Sequence, residues 1–550
     1  MNYKKICALV LSSVIAITGL AGCSNSEAGK GTEQIENTTS EKHVEQLNIG
    51  TLSANDTFSA LQQEGAYGRL NYNGMTQLNL WTRDENNEIA PGFFQSWDIS
   101  EDNTEMILHF NPLGDLYFHN GDAVTIEDVI FTFEYYKNIK KSTWFQKITD
   151  IEQVDDTSIK LSFDSNYAFS FLNEVTLSYY ILSKDIWEKV DEPDKYIDAD
   201  AAIGCGPYKL VSIDDDAQVS YYEAVENYPL GEITVDKIAL KSYENQSAML
   251  MALINGEIDA TFDYSGPIDP TLIPTIENEE NINIGESINS AAYHIVFGFN
   301  KYPTNDLPFR LAVRKALDYE LLCSTIAGGY GEIANEGAVS PVNLGYDESL
   351  PKLSRNLEEA NKILDEAKYI DINGDGFREL PDGNVMDVSI ALQSGNALYT
   401  RMAEVIQTNL ADVGIKTTID QQTISNADYT NELRNQGAYE IYIGMTTTGR
   451  AQWTGVVNYV ADIMSNKKWG TYADPAYMNA YNGMLYAGNY DEYISSFKEA
   501  QKINSEQAPV IALAIQKAFY PYRTDKITGF VEYPSWGVIN NKTWFSAKAK

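Results

Sequence analysis

Tyr117-Phe118-His119-Asn120-Gly121-Asp122-Ala123-Val124-Thr125-Ile126-Glu127-Asp128-Val129 joins a turn to the start of a helix. Asn120-Gly121 supplies the positive-φ turn chemistry, so His119 and Asn120 are read as scaffold. Thr125 is a good N-cap with Asp128 at N3, ahead of the apolar face Val129, Phe131, Phe133 and Tyr136. Upstream, short strand-like runs precede this turn, among them Leu108-His109-Phe110. Downstream the same mixture continues. Asn356 with Glu359 caps a helix carrying Ala360, Ile363, Leu364 and Ala367, and Pro308 opens one at N1 that runs through Leu311, Val313, Ala316, Leu317 and Leu321. Arg314 and Asp318 on it are read as an i to i+4 surface pair. A helix over 401–413 stops at Gly414 before a strand over 415–419. Short strands alternating with capped helices make this an α/β chain.

The 550 residues, 44% hydrophobic, are enough for several domains and a sizeable core. With 78 acidic residues against 40 Lys and Arg, a formal charge of −38 argues against nucleic acid and anionic lipid surfaces as partners. Cys7, Cys23, Cys205 and Cys323 are too scattered for a disulfide scaffold or a thiolate zinc site.

Lys4 and Lys5, an apolar stretch over 8–20 and the small pair Ala21-Gly22 read as a signal peptide over 1–22. Leu20-Ala21-Gly22-Cys23 resembles the bacterial lipobox, which implies acylation of Cys23 and extracytoplasmic anchoring to the cell membrane. Residues 24–45 hold no aromatic residue and read as a flexible tether from Cys23, with the folded body beginning at the strand-like run from Leu47.

Ordered motifs carry a wider resemblance. Ile89-Ala90-Pro91-Gly92, Trp97-Asp98-Ile99-Ser100-Glu101-Asp102 and the turn quoted above are followed by Gly204-Cys205-Gly206-Pro207-Tyr208, Gly256-Glu257-Ile258-Asp259-Ala260 and Phe309-Arg310-Leu311-Ala312-Val313-Arg314-Lys315-Ala316-Leu317-Asp318. Together they resemble the family 5 extracellular solute-binding proteins of ABC importers, the oligopeptide, dipeptide and nickel receptors. The resemblance implies a periplasmic-binding-protein-like fold with two lobes, three domains, a hinge and an interlobe ligand cleft. Domain I would comprise 46–80, 202–300 and 518–550, domain II 81–201, and domain III 301–517. It also implies a non-enzymatic, monomeric receptor that captures peptides or peptide-like solutes and delivers them to permease subunits with a cytoplasmic ATPase. Oligosaccharides are the nearest variant, and a secreted hydrolase or a surface sensor are readings from other classes.

For the pocket, family positions point to Thr57, Phe58, Tyr67, Tyr264, Trp453 and Trp536. The segment in which peptide receptors of the family place an Asp corresponds to Tyr439 through Trp453; it holds Thr446, Thr447, Thr448 and Arg450 but no Asp, which suits a ligand carboxylate better than an ammonium. Of the four His, 43, 109, 119 and 294, only His294 is expected at a cleft, and this scarcity of imidazole weakens nickel and haem as ligands. No cofactor is required. One acidic loop has calcium-like spacing: Asp371, Asn373, Asp375, Glu379 and Asp382 stand at positions 1, 3, 5, 9 and 12 with Gly376 at 6. A bound calcium ion and an unoccupied acidic turn are both open.

Overall fold

The computed structural model describes residues 3–6, 43–62, 65–86, 88–175, 179–262, 268–422, 439–447, 474–533 and 536–550. Strand β1 (Leu47–Thr51) opens the body. Val44, placed in the tether on sequence grounds, is buried and bridges Val235, because its apolar side chain completes the core beneath that strand.

A small sheet follows from β2 (Phe94–Ser100), β3 (Glu105–Phe110), β4 (Ile148–Asp155) and β5 (Ser158–Phe163), in the order β2-β3-β5-β4. Tyr3–Ile6, within the segment read as a signal peptide, lies antiparallel to β2 at the outer edge. Helix α1 (Ile126–Asn138) begins with the expected capping box: Thr125 Oγ1 accepts the Asp128 N–H at 3.3 Å, and the Asp128 carboxylate accepts the Thr125 N–H at 2.9 Å. Helix α2 (Ala168–Glu174) drives Phe171 into a ring cluster with Trp81, Phe133, Phe145 and Phe163.

The small sheet is tied to the next segment at Gly204-Cys205-Gly206. A Cβ on Gly204 would stand 2.2 Å from the Thr76 carbonyl oxygen, and one on Gly206 would stand 2.6 Å from that of Met75. These glycines therefore serve close backbone approach. The chain then forms β6 (Tyr208–Asp214), β7 (Val219–Ala224), β8 (Lys237–Ser242), helix α3 (Gln246–Asn255) and β9 (Ala260–Thr261). Next comes the 16-residue β10 (Ile282–Phe297).

Helix α4 (Leu307–Ala316) stops earlier than its apolar spacing predicts, since Leu317 turns extended and Asp318 caps a second helix by accepting the Leu321 N–H at 3.0 Å. The expected Arg314–Asp318 pair is thereby overturned. Arg314 is buried and pairs with Glu336 at 3.3 Å, while Asp318 faces Arg355. After α5 (Leu357–Glu366) come β11 (Val388–Gln393), α6 (Ala397–Ala411), β12 (Thr417–Gln422) and β13 (Ile441–Thr447). Helices α7 (Pro475–Leu485) and α8 (Tyr490–Gln507) lead to the 14-residue β14 (Val510–Arg523). Among the described residues no helix is long and apolar enough to cross a membrane.

These strands form one large sheet in the order β12-β11-β13-β10-β14-β9-β1-β8-β7-β6. Its flanks hold parallel pairs: β8 with β1 and β1 with β9 on one side, β13 with β11 and β11 with β12 on the other. Antiparallel β10 and β14 run between them. Residues 282–288 of β10 pair with the end of β14 toward the first flank, and residues 292–296 pair with the end toward the second; the register breaks between Ile288 and Ala292. The two halves of the molecule are thus joined along two strands interrupted by a bulge, which locally frees the ladder to bend.

Candidate functional site

Strand direction places the site. β9 pairs antiparallel with β14 through Ala260 and Tyr522, so its carboxyl end, and those of the parallel β1 and β8, point toward the second half. β13 pairs antiparallel with β10 and ends with Thr446 opposite Ala292 and Thr447 opposite Ala291, beside the register break. Its carboxyl end and that of the parallel β11 therefore point back toward the first half. The carboxyl ends of both sets of strands therefore face the crossing, the position where open α/β sheets receive ligands.

Thr57 and Phe58 lie in the loop after β1, both partly exposed. Thr57 donates to Asp56 at 3.3 Å, and the Phe58 ring lies 5.6 Å from Tyr67. Thr446 and Thr447 close β13. Tyr264, Thr448, Arg450 and Trp453 lie outside the described residues, as does Cys23.

Three expected site residues belong to the core instead. Tyr67 is completely buried; its hydroxyl donates to the Ala202 carbonyl at 2.8 Å and accepts from Thr76 at 2.8 Å, so its polar end is satisfied within the protein. Trp536 is buried and stands edge-on to Tyr72 at 6.4 Å, where it fills the core under the C-terminal return. His294 is 2% exposed, with Nδ1 3.2 Å from the Ala292 carbonyl, and burial pulls its pKa down to about 4. It lies within the sheet, opposite Gly444 on β13 and Ala512 on β14.

The neighbouring position was missed. Tyr293, one residue before His294, is partly exposed and meets Tyr399 of α6 edge-on at 6.3 Å. Burial raises the Tyr399 phenol, and Tyr442 and Tyr293 add to the effect. A group of tyrosines therefore stands beside the crossing, offering ring faces and hydroxyls to a ligand. Alternation does not separate Tyr293 from His294, because the ladder shifts register between them and residues 294–297 are all buried.

The remaining imidazoles are engaged. His119 accepts the Gly204 N–H at Nδ1 (3.4 Å) and donates from Nε2 to the Gly206 carbonyl (3.0 Å); burial lowers its pKa to about 4. His109 meets Asp98 at 3.1 Å, and His43 meets Asp236 at 2.9 Å. The acidic loop is likewise organised by its own bonds. Asp371 accepts from the Gly374 and Gly376 N–H groups (2.6 and 2.9 Å), Asp375 from Phe377 (2.8 Å) and Glu379 from Ile372 and Asn373 (both 2.7 Å). Asp382 turns instead to the Asn384 N–H at 3.0 Å. Among the described residues no group of three or more His, Cys, Asp or Glu side chains is arranged to hold a metal ion.

Against known proteins, the model of bacterial extracellular solute-binding proteins, family 5 (Middle), matches residues 88–462. The heme-binding protein A of Haemophilus influenzae is 24% identical, over 95% of this chain and 96% of its own. The dipeptide-binding protein of Escherichia coli is 23% identical, over 84% of this chain and 86% of its own. Among solved structures, a mannohexaose-bound periplasmic oligopeptide-binding protein from Thermotoga maritima superposes with a TM-score of 0.70 at 21% identity, covering 92% of this chain and 99% of that one.

Proposed function

The chain belongs to the bacterial extracellular solute-binding proteins of family 5, and from that premise we propose that it captures peptides or peptide-like solutes where the two halves meet. Capture works by closure about β10 and β14: a ligand that touches loops of both halves stabilises the closed form by its differential affinity. The convergence of strand ends from both halves on the register break carries this reading. The closed, loaded receptor then presents its solute to permease subunits driven by a cytoplasmic ATPase. An acyl anchor on Cys23 keeps it at the outer surface of the membrane.

Peptide is favoured over haem or nickel because the described imidazoles are buried or engaged, whereas tyrosines stand at the crossing. Oligosaccharide is the second reading. Tyrosine faces suit sugar rings, and a relative of the same fold was crystallised with mannohexaose. Native mass spectrometry of the purified protein, followed by calorimetry with the solute found, tests the assignment. A co-purified peptide supports the first reading and a glycan the second; time-dependent chemical conversion of the bound solute would overturn both.

A further inference from the structure

Helix α2 is buried on every side although it is only seven residues long. Its inner face is explained by the ring cluster around Phe171. Its outer face carries Ser170 and Asn173, polar residues that a helix packed on one sheet would expose. They are covered by the turn between α7 and α8, which belongs to the other half of the molecule.

The contact has a specific chemistry. A helix ends with carbonyls that have no intrahelical partner. At the carboxyl end of α7 three successive carbonyls receive side-chain donors from the small-sheet body: Leu485 from Ser170 Oγ at 2.6 Å, Tyr486 from Asn166 Nδ2 at 3.1 Å, and Ala487 from Asn103 Nδ2 at 3.1 Å. Tyr490 adds a hydroxyl to Asn173 at 3.4 Å and an edge-on ring to Phe169 at 5.0 Å. Asn103 works on both sides of the seam. Held at φ 59°, it caps α2 through its Oδ1, which accepts the Phe169 N–H at 2.8 Å, while its amide reaches Ala487.

We propose that Asn103, Asn166 and Ser170 are positioning residues for ligand capture, capping α7 across the seam and thereby setting how much of the ligand-free protein is closed. This rests on the reading of the chain as a receptor that closes on its ligand. Bending at the register break of β10 must part α2 from the 485–490 turn, since no strand of the large sheet's ladder joins them. Parting returns these neutral donors and carbonyls to water, so each bond has a small net worth and the fastening is reversible. Apparent affinity scales with the fraction of protein in the binding-competent form, so these residues tune affinity without touching ligand.

Single-molecule energy transfer on the purified protein tests this, with dyes at Asp156→Cys and Lys502→Cys, both exposed positions, in a Cys323→Ser background. Asn166→Asp places an acceptor against the Tyr486 carbonyl from an exposed site, and Ser170→Ala removes the bond to Leu485. Each is expected to lower the ligand-free ratio of closed to open molecules by about threefold or more, with the melting temperature within ~2 °C of the unsubstituted protein. An unchanged ratio in Asn166→Asp, or a ligand-free protein with no closed population, overturns the proposal. Titration with a defined tri- to pentapeptide library is a separate arm: failure of every peptide to raise closure sinks the peptide reading, whereas the ligand-free ratio alone decides the fastening.

Discussion

Burial without charge is the condition of His294. Its pKa in the fold, about 4, lies below the ordinary 6.5 because desolvation penalises the imidazolium. Between those two values the unfolded chain takes up a proton that the folded chain refuses. Stability is therefore complete above about pH 6.5, falls as pH drops toward 4 and is flat below, with a loss of about 3 kcal/mol for this group. His119 titrates with the same sign. Urea unfolding across pH 4 to 7 should show the slope, and His294→Gln should reduce it while leaving the His119 share; an unchanged slope in that variant would place the titrating group elsewhere. Elimination among the four imidazoles made His294 look available, since sequence identifies a strand residue but not which of its faces the rest of the fold covers. Arg310 was similarly opaque. Given no role beyond a family motif, it is 1% exposed, donates to the Gln507 and Thr304 carbonyls at 3.0 and 3.1 Å, and lies 4.7 Å from the Phe299 ring centroid.

At the level of elements, local chemistry was the legible part. The caps at Thr125 and Asn356 sit where their spacing put them, because a cap is decided by four neighbouring residues. Gly204-Cys205-Gly206 was legible as part of a family motif but not as a close approach. Gly204→Ala must displace the Thr76 carbonyl or the turn, and a loss above about 3 kcal/mol is expected in denaturant unfolding, a cost typical of overpacking against backbone. A loss under about 1 kcal/mol would mean that the junction yields. In the acidic loop the five side chains at suggestive spacing all accept hydrogen bonds from close neighbours in the chain, Asp382 from Asn384. Chelation should leave the melting temperature within about 1 °C, and Asp371→Ala should destabilise equally with and without calcium. A calcium-dependent rise abolished by Asp371→Ala would reverse this.

Across the molecule, the resemblance gave the fold class correctly, while the seam between α2 and the 485–490 turn was invisible. Ser170, Asn166 and Asn103 are ordinary polar residues until α7, more than 300 residues away, supplies their acceptors. The long strands were equally hard to read, since 16 and 14 residues exceed the usual strand and the first part of β10 is largely polar. At the opposite end of the chain, the reading of residues 1–23 makes a direct prediction. Cys23→Ala should leave thermal unfolding unchanged yet release the protein from membranes on fractionation; full retention would remove the lipid anchor.

The position of β14 has a consequence for how the protein comes into being. Its residues, 510–523, fill the slot between β9 and β10 and bond to both. Until they arrive, the centre of the large sheet is open along two edges, and each half lacks a neighbour it needs. A chain exported from its amino end would deliver that strand last, so folding of the whole sheet waits on the final forty or so residues. Pairings so distant in sequence close slowly and leave unpaired edges exposed while they wait. Any chain that stops short of β14 therefore carries two open strand edges at the centre of its sheet.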